Sequence, residues 1–204
     1  MHWKEFLKDK RNIVEVLITV ILLSIVLTSL TNFLNFVEAR KGAVLPDPIL
    51  TLFNPIDLTW LTFALIYGSI VVAVATLSKN PKQLMFAIQL YTLMVIVRIA
   101  AMFLLPLEPP VAMIALNDPL VEFFGTGQTL TKDLFFSGHT ATLFILFLVS
   151  ENKIIKSVFL ISTIVVAISV ILQHVHYSID VFAAVFFTYA CYKLILKFKI
   201  HYSL

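Results

Sequence analysis

The chain has 204 residues, 60% of them hydrophobic and only 13% charged, whereas an average globular domain is roughly 45–50% apolar and about 25% charged. A soluble fold of this size still exposes about a third of its unfolded surface, and so few charged side chains cannot cover it. With a mean hydropathy of +0.97, the composition specifies an all-α integral membrane protein and excludes a soluble enzyme, a disordered tail and a disulfide scaffold.

Runs of about 18 or more apolar residues mark membrane spans, and six are expected: near Ile13–Val37, Leu58–Leu77, Gln83–Leu105, Asp133–Val149, Ile155–Leu172 and Ile179–Leu196. The connection after the first holds Glu38, Arg40, Lys41, Pro46 and Pro48; that after the second is the polar turn Ser78-Lys79-Asn80-Pro81-Lys82. The third span ends before Pro106, Pro109 and Pro110, and a long connection then runs to Lys132. The first apolar run is too long for a cleavable signal and lacks a small-residue cleavage pattern, so it is expected to remain a helix. No internal repeat or low-complexity tract is visible, and residues 1–204 read as a single multi-pass domain with its chemistry within 98–180. The lone Cys191 lies in an apolar run and reads as packing.

The net charge of +3 and pI near 9.0 come from short basic clusters between apolar runs, which is membrane topology and not a nucleic-acid surface. Eleven Lys and Arg residues fall at the N-terminus, the second-to-third turn, the fourth-to-fifth turn and the C-terminus, against Arg40, Lys41 and Lys132 on the other side and Arg98 within a span. Positively charged segments resist translocation, so both termini are expected to be cytoplasmic.

That topology brings Arg98, His139, His174, His176 and Asp180 to the extracytoplasmic end. Ionisable groups in spans cost roughly 3 kcal/mol each near the midplane, so several at one end ask for a purpose. His176 and Asp180 are four positions apart and share a helical face. A carboxylate there can hold one imidazole nitrogen and leave the other as a nucleophile or base, with His139 protonating a leaving group. Ser137 and Gly138 precede His139 at an expected helix start, where N–H groups and the helix dipole favour an anion, and Arg98 can clamp phosphate oxygens. These features fit phosphoryl transfer.

Other uses compete. His139, His174, His176 and Asp180 can in principle bind zinc, but neither His-Glu-x-x-His nor a cysteine partner is present, and Ser137 and Gly138 would be unexplained. His176 with Asp180 can be a capped interfacial helix start, Arg98 can snorkel to headgroups, Asp133 can be an N-cap and Lys132 an interfacial anchor. Gly125 and Gly127 read as turn residues, His174 as an interfacial or supporting polar group, and Tyr177 and Tyr91 as packing or lipid-facing residues.

Ser137-Gly138-His139-Thr140 followed by His176-Tyr177-Ser178-Ile179-Asp180 resembles the second and third motifs of the type 2 phosphatidic acid phosphatase superfamily. The sphingomyelin synthase branch is closer: Asp133 precedes the Ser-Gly-His, His174 to Asp180 reads His-x-His-Tyr-x-x-Asp, and the stretch from Arg98 to Pro109 is similar to that branch's arginine-led motif. The phosphatase branch's Lys-x6-Arg-Pro motif is missing, and Val170 stands where that branch has an arginine six before the third-motif histidine; both absences fit the synthase branch.

The resemblance implies His176 as nucleophile, Asp180 as its orienting carboxylate and His139 as acid and then base. Arg98, Ser137 and Gly138 are expected to bind substrate, with Asp133 and Lys132 as further candidates for that role, and the family needs no metal or cofactor. A phospholipid would donate its headgroup through a phosphohistidine to a lipid alcohol such as ceramide or diacylglycerol. With water as acceptor the enzyme is a lipid phosphate phosphatase or phospholipase C-like hydrolase. A non-enzymatic lipid-binding or transport protein that retains the constellation is the reading of another class.

Overall fold

The computed structural model describes residues 2–117 and 130–202, with side chains to residue 198. Gly125 and Gly127 lie outside the described residues. Seven α-helices occur among the described residues: α1 (Trp3–Phe6), α2 (Lys10–Ala39), α3 (Thr59–Leu77), α4 (Pro81–Leu104), α5 (Gly138–Val149), α6 (Lys153–Leu172) and α7 (Ser178–Tyr202). Their starts follow from local chemistry. Asp9 accepts the Arg11 N–H to cap α2, Asn152 accepts from Ile154 and Ile155 to cap α6, and Pro81 opens α4 where its missing N–H has no helical partner to lose.

Five helices, α2, α3, α4, α6 and α7, are long and apolar enough to cross a membrane. The fourth expected span is shorter than its apolar run suggests. Helix α5 begins at Gly138, not Asp133, and has 12 residues, a rise of about 18 Å against a hydrocarbon core of about 30 Å. Ser137 causes the late start: its hydroxyl accepts the Thr140 N–H at 3.4 Å, while Asp133 and Phe136 are held outside the helix by Arg98.

Helix α5 packs on α6, α7 and α4, whereas α2 packs on α4 alone among the major pairings and α3 lies mainly against α6. Lipid tails are as apolar as the core, so close approach rather than water exclusion holds such helices together. Small side chains supply it: Ala141, Ser162, Ser169, Ala183 and Ala184 are all buried. Helix α2 is the outlying element, with 11% of its most apolar window buried.

Hydrogen bonds between helix ends fix which turns share an end of the bundle. Trp3 Nε1 donates to the Ser78 carbonyl at 2.7 Å and Gln83 Nε2 to the Val149 carbonyl at 2.6 Å. Helix α1, the α3–α4 turn and the α5–α6 turn therefore lie together, and Tyr192 and Leu196 of α7 line the same end. At the opposite end, the Arg40 guanidinium donates to the carbonyls of Met102 and Phe103, and Ala43 bridges to Leu107. A Cβ at Gly42 would stand 2.5 Å from the Leu107 carbonyl carbon, so only glycine permits this approach. A small apolar cluster of Leu50, Leu107, Leu134 and Tyr177 anchors the connecting segments over this end.

Candidate active site

Three segments converge beneath those connections: the last turns of α4, the stretch leading into α5, and the reversal between α6 and α7. The reversal is built by hydrogen bonding. The Val175 N–H reaches the Val170 carbonyl at 2.9 Å and the His174 N–H the Ile171 carbonyl at 2.9 Å, the pattern that closes a helix with a left-handed residue. His174 takes that position with φ 56°. It is therefore a helix-terminating residue, 5% exposed and with its ring 5.3 Å from that of Phe53. The Gln173 side chain pins the turn, accepting from the Leu58 N–H and donating to Thr59 Oγ1 and the Ile114 carbonyl.

The chain leaves this reversal with His176 and Asp180 fully buried. His176 Nδ1 lies 3.4 Å from Asp180 Oδ2, and the Tyr177 N–H donates to the same oxygen at 3.0 Å. A proton on Nδ1 shared with the carboxylate leaves Nε2 with its lone pair, and a 3.4 Å contact of this kind shortens when substrate closes a site. The other carboxylate oxygen, Oδ1, is buried with no hydrogen-bond partner among the described residues. The main chain of Asp180 reaches the second motif directly, its carbonyl accepting the Ser137 N–H at 3.2 Å.

That bond sets Ser137-Gly138-His139 beside His176. The two imidazole rings lie edge to face with centroids 6.0 Å apart, and Phe63 of α3 backs His139 at 6.4 Å. His139 and Gly138 are half-buried while Ser137 and Thr140 are buried, so the N-terminus of α5 lies beside the imidazole pair. The N–H groups of a first helical turn have no intrahelical acceptor, and they favour an anion at this point.

Arg98 is buried at the outer end of α4. Its Nε donates to the Phe136 carbonyl at 2.6 Å and its Nη2 forms an ion pair with Asp133 at 2.6 Å. Asp133 is thus the partner of Arg98 and not the N-cap of α5. A Cβ at Gly138 would come within 3.0 Å of Arg98 Cζ, so the guanidinium lies flat against the start of α5. Gly138→Ala is expected to push the guanidinium away and lower turnover about tenfold or more, in line with the sensitivity of such sites to small displacements, with little change in helix content; steady-state kinetics and circular dichroism test this together.

Lys132 faces the rim instead. Its Nζ bonds to the Arg40 carbonyl at 2.9 Å and to Glu108 at 3.0 Å, while Glu38 accepts from the Thr131 N–H and hydroxyl and the Lys132 N–H. Glu108 is held below the usual carboxylate range by the Gly42 N–H and by Lys132. Tyr177 is buried, its hydroxyl donating to the Glu108 carbonyl and accepting the Leu45 N–H. It is a packing residue that ties the rim to α7, and does not face lipid.

Sequence patterns missed one supporting carboxylate. Asp47 Oδ2 accepts the Ser178 N–H at 2.6 Å and caps α7 from a segment 131 positions away; its only signal was a Pro46-Asp47-Pro48 turn. Burial pushes the Asp47 carboxyl up, but hydrogen bonds from Ser178, Ile49 and Leu50 outweigh it and hold the pKa below the ordinary value. A depressed folded pKa contributes stability above the unfolded value of about 3.9, and that contribution is lost as pH falls through the lower folded value. Asp47→Ala should cost about 1 kcal/mol, as loss of a helix cap does, and flatten thermal stability against pH below about 4.

Among the described residues no group of three His, Cys, Asp or Glu side chains is placed to hold a metal ion; the ring of His174 packs against Phe53. No curated protein matches the chain in sequence. Residues 132–198 match the family model described as PAP2 superfamily C-terminal, a stretch that starts at the rim lysine and takes in Ser137-Gly138-His139 and the His176–Asp180 pair. This segment, a third of the chain, is similar to the PAP2 superfamily, whose members are phosphatases or phosphotransferases.

Proposed function

We propose that the protein moves a phospho-headgroup from a phospholipid to a lipid alcohol, such as ceramide or diacylglycerol, through a phosphohistidine on His176. The reading agrees with the sphingomyelin synthase branch within the superfamily. The observation that carries it is the meeting of two imidazoles, one oriented by a buried carboxylate and the other at a helix N-terminus. His176 Nε2 attacks phosphorus, and the P–O bond to the departing diacylglycerol breaks as His139 gives its proton to that oxygen. The acceptor hydroxyl then loses its proton to His139, its oxygen bonds phosphorus, and the N–P bond breaks to restore His176. The α5 N–H groups with Ser137 and Gly138 receive the equatorial oxygens. Arg98 and Asp133 form the wall behind them, and Lys132 the rim that the headgroup passes. No step calls for a metal or cofactor.

In this reading the chain crosses the membrane six times, α5 completing its crossing with the stretch that leads into it. The site lies on the extracytoplasmic side because the end bearing α1 and the α3–α4 and α5–α6 turns carries most of the cations. Incubation of the purified protein with fluorescent ceramide and mixed phospholipids tests the function. A phospho-headgroup ceramide made by the unmutated protein and not by His176→Ala is expected, and names the headgroup. Phosphate or a phospho-headgroup released to water instead would make the enzyme a hydrolase, and no turnover would favour a lipid-binding or transport role.

A further inference from the structure

At the end of the bundle opposite the imidazoles, six helices leave a cavity of about 1060 Å³ lined by both polar and apolar side chains. Lys82 stands on its wall, 16 positions before Arg98 on α4, which places it about 24 Å from the candidate active site. The ionisable side chains lining it with net charge are Lys82, Lys156, Glu15 and Glu151, two of each sign. A second, almost wholly apolar cavity of about 370 Å³ runs along α2 and α4 past Leu22, Leu93 and Ile96, and Glu15 belongs to the walls of both. From Glu15 to Leu22 this groove extends about 10 Å into the bilayer.

We propose that these joined cavities bind one zwitterionic aminophospholipid of the leaflet at the cation-rich end, phosphate toward Lys82 and Lys156, ammonium toward Glu15, and one acyl chain in the α2–α4 groove. The charge balance selects the zwitterion: an anionic headgroup offers the lysines the same phosphate but meets two carboxylates with no cation to answer them. Glu15 has the right setting for an ammonium ion. It sits inside the apolar length of α2, where an ionisable residue marks a functional partner, and the Gln89 amide fixes its carboxylate at 2.9 Å while also bonding Thr19 at 3.0 Å. Phe86 and Tyr192, ring to ring at 5.7 Å, supply the aromatic wall typical of a headgroup-level site. Bound there, the lipid bridges the outlying α2 to α4.

Native mass spectrometry of the full-length protein with phosphatidylethanolamine or phosphatidylglycerol of identical chains tests this. The unmutated protein is expected to retain phosphatidylethanolamine about tenfold better than phosphatidylglycerol. Glu15→Gln, which preserves the shape of the side chain, should remove that preference, and Lys82→Glu, at an exposed position, should weaken retention of both lipids about tenfold. His176→Ala should change neither, which separates this site from the candidate active site. Equal retention of the two lipids, a preference for phosphatidylglycerol, indifference to both cavity variants, or loss of retention with His176→Ala would each overturn the proposal.

Discussion

Replacing His176 by alanine is expected to lower turnover by about 10⁶-fold, the scale of nucleophile deletion in covalent catalysis and about 8 kcal/mol of transition-state stabilisation. His139→Ala should cost less, about 10²–10⁴-fold, because water can replace a general acid at reduced efficiency. Asp180→Asn keeps the shape of the pair but removes the charge that orients and supports the imidazolium, and a loss of about 10⁴-fold is expected. The three effects should fall well short of additive, since each variant disables one unit. His176 is buried, so thermal unfolding must accompany the kinetics. A folded, inactive His176→Ala supports the nucleophile; an active one sinks it.

Arg98→Ala is expected to produce the largest loss of stability, about 3–5 kcal/mol, because it strands the Asp133 carboxylate in a largely buried setting and frees the Phe136 carbonyl that Nε now satisfies. Removing both charges in Arg98→Met with Asp133→Leu should recover much of that stability, since an apolar replacement of a buried pair is often close to neutral. Activity should stay low in the double variant, because the start of α5 loses the surface against which Gly138 is laid. Denaturation in mild detergent, read beside turnover, separates the two. Full activity in a stable double variant would show that Arg98 is needed only for folding.

The long helices were legible because apolar runs of membrane length have few other uses, and α2, α3, α4, α6 and α7 begin and end within a few residues of the expected spans. The start of the fourth span's helix, α5, was misplaced for a physical reason. Leu134, Phe135 and Phe136 read as membrane-buried helix, yet they belong to a segment whose main chain is bound by an arginine 38 positions away. The meeting of His139, His176 and Asp180 was legible from topology, since alternate turns bring helix ends to one side. What no periodicity carries is the set of long-range main-chain bonds: Asp47 to Ser178, Gln173 to Leu58 and Ile114, and Tyr177 to Glu108. His174 was hidden in another way. A left-handed helix terminus is signalled by glycine, and here a histidine occupies it.

The most direct test of the account is to trap the covalent intermediate. The protein is mixed briefly with a phospholipid labelled in its phosphate, quenched in alkali, where a phosphorus–nitrogen bond to histidine survives, and mapped by peptide mass spectrometry. The account predicts the phospho-headgroup on His176, formed and discharged more slowly in His139→Ala, which lacks both the acid and the base, and absent from His176→Ala. Label on another residue, or turnover with no labelled protein under any quench, would contradict it.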